Sequence, residues 1–177
     1  MTLVTLEYVR LMARYNQWLN TGLRKLLATM SPKELAHDHG AFFGTIHAIV
    51  NHLLWGDILW MSRFDGGKGP PPAPGSTPLG IMESVGFNDT IIEWEAIRIQ
   101  TDGRIHAWAE GIGSSDLNGD IEWYSGAVQK QMRKLFGLCV VQLFNHQTHH
   151  RGQILAMLTA TARTPNDTDV PFMPEDI

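Results

Sequence analysis

A proline-free, mostly apolar stretch from Met132 to Ala162 constrains the fold of this chain more than any other part of the sequence. With no proline to interrupt it, the stretch predicts one helix of about 30 residues, about 45 Å long. His146 and His150 lie four residues apart within it, so their side chains point within about 40° of each other. The face that they share is otherwise apolar or small, and it turns rich in imidazole for one turn.

These two histidines form a candidate metal-binding pair. Burying an imidazole costs free energy unless a partner satisfies its ring nitrogens. Two histidines at positions i and i+4 can bind the same divalent cation. The alternative is that both are ordinary solvated or hydrogen-bonded histidines, and the pair alone leaves both interpretations open.

A third ligand could come from the second predicted helix, which spans Gly44–Phe64 and carries His47 and His52. These two side chains are about 140° apart, so they cannot both reach one ion between the helices. His52 shares its face with smaller and more apolar residues, which favours it as the inward-facing histidine. Periodicity alone does not exclude His47.

Two glycines lie next to the candidate ligands inside these helices. Gly56 follows His52 by one turn, and Gly152 lies beside His150. Glycine weakens a helix by about 1 kcal/mol relative to alanine. We therefore expect each glycine to allow the close approach of a neighbouring helix.

Together, His52, His146 and His150 would bind a divalent metal through three imidazoles from two helices. Three protein ligands leave at least one coordination position open for water or substrate, as in catalytic zinc sites. An open metal site can lower the pKa of a bound water or thiol. Imidazole suits zinc, nickel, iron(II) and copper, so the ligand type does not choose the metal.

Three nearby residues are weaker candidates for a role at this metal site. His149 and Gln153 are candidate outer contacts that would orient a ligand or a bound molecule, although packing or solvent contact also explains them. Cys139 lies about 10 Å along the helix from His146, which favours a small core residue over a ligand. No carboxylate occupies the His146 face, so an obvious general base is missing.

The rest of the chain predicts further helices and connecting segments. Helices are predicted over Thr5–Met30, over a short capped turn from Ser31 to about His37, and from Asn88 or Asp89 to about Glu110. Loops are predicted over His37–Gly40 and over the proline- and glycine-rich crossover Gly66–Pro78. A short extended piece is predicted at Ile121–Tyr124, and the tail after Thr164 is expected to pack back through Val170, Phe172 and Met173.

Composition narrows the class of protein. With 44% hydrophobic and 18% charged residues, the chain is expected to form one folded domain over residues 1–177. The net charge is -4 and no lysine or arginine cluster is present, so we expect no nucleic-acid partner. No apolar run is long enough to span a membrane, residues 1–14 lack a signal-peptide pattern, and a single cysteine cannot form an intrachain disulfide. We therefore expect a cytoplasmic protein without a membrane partner.

Two segments resemble motifs of a known family, the DinB/YfiT-like proteins. Asn145–Ile154 closely resembles the last-helix motif of that family, and His52–Asp57 followed by Trp60 and Arg63 resembles its second-helix motif. The resemblance covers most of the chain, from about Tyr15 to Met173. It implies an all-α four-helix bundle with a long Pro/Gly-rich crossover loop, commonly a homodimer.

The same resemblance implies a metal ion held by His52, His146 and His150, which decides between His52 and His47. The family includes transferases that use a low-molecular-weight thiol, in which the metal activates the thiol as a thiolate. We therefore expect metal-dependent transfer of such a thiol to a small electrophile, with zinc or nickel as the favoured metal and iron as an alternative. A metal-dependent hydrolase, weakened by the missing carboxylate base, and a non-enzymatic metal-binding dimeric module are the alternatives. The sequence selects neither the thiol nor the electrophile, and it assigns no role to Cys139, His47 or the proline-rich loop.

Overall fold

Four long α-helices make up most of the computed structural model, which describes residues 3–71 and 81–176. They are α1 (Leu6–Leu27), α3 (Ile46–Phe64), α4 (Ile91–Gly111) and α6 (Phe136–Ala160), and two short helices, α2 (Pro32–Leu35) and α5 (Ser114–Leu117), lie between them. Two antiparallel hairpins complete the fold: β1 (Asp38–Ala41) with β2 (Gly44–Thr45), and β3 (Asp120–Ser125) with β4 (Lys130–Leu135). Short 3₁₀ turns occupy Ile81–Gly86 and Val170–Phe172. None of the helices in these described ranges is both long and apolar enough to cross a bilayer.

The first four helices, α1 to α4, begin at side chains that accept hydrogen bonds from the first free backbone N–H groups. The predicted capping box is confirmed: Ser31 Oγ accepts from the Glu34 N–H at 3.3 Å, and the Glu34 carboxylate accepts from the Ser31 N–H at 2.8 Å. A second capping box pairs Thr90 with Glu93, so α4 begins after Thr90 and not after Asn88 or Asp89. The first predicted helix is confirmed, with Thr5 as its cap.

The predicted last helix starts too early, because Met132 to Leu135 belong to β4. This strand pairs with β3, which brings Met132 opposite Trp123 and Lys134 opposite Ile121. An Arg133–Asp120 ion pair at 2.8 Å joins the two strands across the hairpin. The extended piece predicted at Ile121–Tyr124 is confirmed as part of β3. Pairing between segments overrides local helix preference here, and it leaves α6 to begin at Phe136.

The loop predicted over His37–Gly40 is wrong for most of its length, because β1 begins at Asp38. Two glycines with positive φ flank the turn of this small hairpin, Gly40 in β1 at +70° and Gly44 at the start of β2 at +73°. Glycine reaches this region without the steric cost that other residues meet. The next helix consequently begins at Ile46, after the cap Thr45, and not at Gly44.

Two buried apolar clusters fill the space between the long helices, one around Leu27, Leu54 and Ile154 and the other around Val9, Ile105 and Phe144. A layer of buried polar side chains separates them along every long helix, formed by Asn16, Asn20, Asp57, Arg98, Thr101, Asp102, Gln147 and Arg151. The sequence analysis missed this layer.

Ion pairs and amide contacts link the side chains of the buried polar layer. Arg98 binds Asp57 at 2.6 Å and Asp102 at 2.8 Å. Arg151 donates to Gln147 at 3.1 Å, and Gln147 in turn donates to Asp57. Buried charges are tolerated only when they are paired in this way, so the layer fixes how α3, α4 and α6 sit against one another.

The C-terminal tail returns to α1 through polar contacts. The Tyr15 hydroxyl donates to the Thr168 carbonyl at 2.6 Å, and Arg14 donates to the Glu175 carbonyl at 2.7 Å. The predicted apolar anchoring is wrong for Val170 and Phe172, whose exposed fractions are 38% and 64%. The predicted crossover Gly66–Pro78 falls largely outside the described residues, which omit 72–80.

Candidate metal centre

His52 from α3 and His146 and His150 from α6 converge at one place between these two helices. One ring nitrogen from each histidine can be chosen so that all three atoms lie within 4.8 Å of one another. The Nε2 atoms of His52 and His146 are 3.1 Å apart. The ring centroids of His52 and His150 are 4.8 Å apart, and those of His146 and His150 are 4.6 Å apart. The structure thus brings together the three residues that the sequence analysis selected.

His52 is the inward-facing histidine of α3. Only 4% of its surface is exposed, whereas His47 is partly buried on another face and lies outside the cluster. The Phe43 ring covers His52 from one side, with ring centroids 4.3 Å apart, and it lies 5.6 Å from His150. Sequence reasoning missed Phe43 because nothing in its local pattern points to the site.

Two outer contacts fix the orientation of the rings. His150 Nδ1 lies 2.7 Å from Gln153 Oε1, and His52 Nδ1 lies 2.7 Å from Ser84 Oγ. An amide oxygen only accepts hydrogen bonds, so the proton of neutral His150 sits on Nδ1 and its Nε2 carries a free lone pair. Gln153 therefore occupies an outer-contact position, while Ser84, from the turn before α4, was missed by the sequence analysis.

The spacing of the nitrogens fits a metal ion. Two imidazoles bound to zinc at about 2.05 Å in a tetrahedral arrangement would have their nitrogens about 3.3 Å apart. The observed 3.1 Å between His52 Nε2 and His146 Nε2 is close to that value. His146 Nδ1 is buried and has no hydrogen-bond partner among the described residues. Metal-binding histidines usually engage both nitrogens, so this unpaired atom is an incomplete feature of the fit.

Electrostatics keep all three rings neutral near pH 7. Burial, helped by the proximity of His146 and His150, lowers the pKa of His52 to about 3. Burial and the neighbouring His150 lower the pKa of His146 to about 4, although Asp57 opposes the shift. Burial likewise lowers the pKa of His150. A metal ion binds the neutral form of imidazole, so the site holds its histidines in the binding state.

The two glycines next to the histidines differ in what surrounds them. A β-carbon added at Gly56 would lie 3.1 Å from Cε1 of His146, so the predicted close approach at this position is confirmed. A β-carbon added at Gly152 would meet nothing within 4 Å. The expectation for Gly152 is wrong because this residue lies on the exposed side of α6.

The remaining candidates lie outside the cluster. His149 is exposed, with its ring 4.8 Å from that of His150. Cys139 is buried seven residues before His146, and burial raises the pKa of its thiol. The nearest carboxylate in the sequence motif, Asp57, binds Arg98 and Gln147 with its two oxygens. It therefore has no oxygen left over to serve as a general base.

Comparison with known proteins gives one match. The model of the DinB family matches residues 2–98 and 123–176, which include all three histidines and every residue of the polar layer except Thr101 and Asp102. No curated protein and no solved structure matches the chain.

Proposed function

Since this chain belongs to the DinB family, we propose that His52, His146 and His150 bind one divalent metal ion and that this centre transfers a low-molecular-weight thiol to an electrophile. Zinc or nickel suits three neutral imidazoles best, and iron(II) is the alternative. The observation that carries the proposal is the cluster of three histidines. Within the described residues, no carboxylate or cysteine joins it as a fourth ligand.

An incomplete set of protein ligands leaves room for a thiol sulfur. A divalent metal bound there would supply a positive charge that stabilises the thiol as its thiolate. Gln153 and Ser84 would hold the rings of His150 and His52 in place, and Phe43 would exclude water from one side. Since Asp57 is fully engaged, the thiol proton would leave to solvent. The sulfur would then form a bond to the electrophilic carbon as the leaving group departs with its electron pair.

Membership of the DinB family also supports four further proposals. We propose that the four long helices form a four-helix bundle of the DinB/YfiT type and that residues 1–177 are one domain. We also propose that the protein is a homodimer and that it works in the reducing cytoplasm, where a buried free thiol such as Cys139 persists. Metal-dependent hydrolysis receives less support, because it would need a base to activate water and Asp57 is not available.

Thiol consumption tests the transferase proposal directly. Metal-loaded protein and chelator-stripped protein are each incubated with a panel of low-molecular-weight thiols and an aryl chloride, from which the thiolate displaces chloride. We expect thiol loss above background with at least one thiol, only in the metal-loaded sample. His52→Ala should abolish the reaction, and His47→Ala, which changes a histidine outside the cluster, should retain it. No metal-dependent loss of any thiol would contradict the proposal.

A further inference from the structure

Arg63 has no hydrogen-bond or ion-pair partner among the residues that the structure describes. In the part of the chain that the structure describes, every other arginine forms an ion pair or a hydrogen bond. Arg63 forms neither with a described residue, and its guanidinium lies against the rings of Trp60 and Trp123. Leaving a partly buried guanidinium without hydrogen-bond acceptors costs free energy that the other arginines avoid.

Two tryptophans hold the Arg63 side chain. Its Cζ atom lies 4.5 Å from the ring centroid of Trp60 and 5.0 Å from that of Trp123. Trp60 lies one turn earlier on α3 and Trp123 comes from β3, and their ring centroids are 5.6 Å apart. Each cation–π contact stabilises the guanidinium electrostatically. These contacts orient the side chain but leave its N–H donors free.

Arg63 lies on the same line of residues as the three histidines. His52 lies against His150, and Gly56 lies against His146. The facing sides of α3 and α6, called the seam below, therefore run antiparallel. Arg63 follows Gly56 by seven residues on α3, and Cys139 precedes His146 by seven residues on α6. Seven helical residues rise about 10 Å, which is two turns away from the histidine cluster.

The electrostatics of the Cys139 thiol agree with this spacing of residues. Arg63 lies close enough to Cys139 to act electrostatically on its thiol, opposing the rise in pKa that burial causes. Helical side chains lean towards the N-terminus of their own helix, and Arg63 leans back over Trp60 in this way. The guanidinium is thus held between Trp60, which lies closer to the histidines along α3, and Trp123 of the hairpin.

The neighbourhood of Arg63 is positive. Lys134 pairs with Ile121 in the β3–β4 hairpin, on the same face as Trp123, and it also acts on Cys139. The acidic residues of this region bind other arginines: Asp65 binds Arg104, and both Asp120 and Glu122 bind Arg133.

We propose that Arg63, held between Trp60 and Trp123, binds a carboxylate of the substrate whose sulfur occupies the histidine centre. The guanidinium fork matches a carboxylate in geometry and charge. The substrate would therefore be an extended thiol that carries its sulfur and an anionic group on the order of 10 Å apart. This inference rests on the proposed function, because it names the class of thiol that the same site would accept.

Cobalt-loaded protein gives a test that does not depend on turnover. Binding of a thiolate to cobalt(II) produces a charge-transfer absorption band, which is titrated with mercaptohexanoate and with its uncharged amide. We expect the carboxylate thiol to bind more tightly than the amide. Arg63→Gln should weaken the carboxylate thiol by about tenfold or more, and it should change the amide by less than about twofold.

Two further variants sharpen the test. Arg63→Lys should retain part of the preference because it keeps the charge and loses the fork. Lys130→Gln, which removes an exposed positive charge of the same hairpin and breaks none of these ion pairs, should change neither thiol. Equal effects of Arg63→Gln on both thiols, or no effect on either, would overturn the carboxylate site.

Failure of the proposed function would look different. If neither thiol produces a charge-transfer band, thiol binding at the metal centre is excluded. Hexanoate and hexanamide, which carry no sulfur, then test carboxylate binding by Arg63 alone. Hexanoate should shift the indole N–H signals of Trp60 and Trp123 in nuclear magnetic resonance spectra, and Arg63→Gln should remove the shift. Absence of that shift in the unmodified protein would overturn the carboxylate site by itself.

Discussion

Gly56 faces the ring of His146 so closely that a β-carbon at this position would lie 3.1 Å from Cε1 of the imidazole. The ring sits where it does because the opposing helix carries no side chain at that point. A glycine inside α3 is thus tied to the position of a candidate metal ligand.

Gly56→Ala should weaken metal binding without unfolding the protein. The added methyl group would displace the His146 ring by a few tenths of an ångström, and we expect about a tenfold loss of metal affinity. Alanine would at the same time gain up to about 1 kcal/mol of helix stability. Competition with a chromogenic chelator measures the affinity. Gly152→Ala is the matched control, because a β-carbon there meets nothing within 4 Å, and it should keep full affinity.

Gln153→Ala should also lower the metal affinity, by about tenfold, because it removes the acceptor for Nδ1 of His150. The same chelator competition gives the value. Gln142→Ala, an exposed glutamine on α6 away from the cluster, should leave it unchanged. Equal affinities for these two variants would show that Gln153 does not orient the ring.

Asp57→Asn should destabilise the fold strongly. The substitution preserves shape but leaves the buried guanidinium of Arg98 with one carboxylate partner fewer, which costs about 3–5 kcal/mol when a buried pair is broken. Urea unfolding of the metal-free protein measures the change. Asp65→Asn breaks a more exposed ion pair, with Arg104, and should cost at most about 1 kcal/mol. Similar losses for the two variants would contradict the role assigned to the polar layer.

The metal-free protein should lose stability as the pH falls from about 6.5 towards 4. An unfolded histidine has a pKa of about 6.5, whereas burial lowers those of His52 to about 3 and His146 to about 4. Between these values the unfolded chain binds more protons than the folded one, so protons favour unfolding. Each such histidine contributes a slope of up to about 1.4 kcal/mol per pH unit. Unfolding free energies measured in this range should show a shallower slope for His52→Asn, and an unchanged slope would refute the shift.

The features that follow directly from helical periodicity could be predicted from the sequence. His146 and His150 share a face because of the 100° turn per residue, and Ser31 with Glu34 caps α2 through contacts three residues apart. Periodicity favoured His52 over His47, but only the family resemblance decided between them. Local pattern alone could not make that choice, because both faces of α3 are rich in apolar residues.

The features that were missed depend on contacts between distant segments. Ser84 approaches His52 across 32 residues of sequence, and no spacing rule links them. Arg98 and Arg151 resemble surface residues in isolation, and only packing reveals that they are 1% and 4% exposed. Met132 belongs to a strand because it pairs with Trp123. The apolar run from Met132 to Ala162 does not by itself indicate this pairing.

The metal content of the purified protein tests the central claim most directly. Elemental analysis of the native protein, of His150→Ala and of His149→Ala compares a residue of the cluster with its exposed neighbour. We predict about one equivalent of a divalent metal in the native protein and in His149→Ala, and a loss of that stoichiometric metal in His150→Ala. Full metal content in His150→Ala, or none in the native protein even after addition of zinc or nickel, would contradict the account.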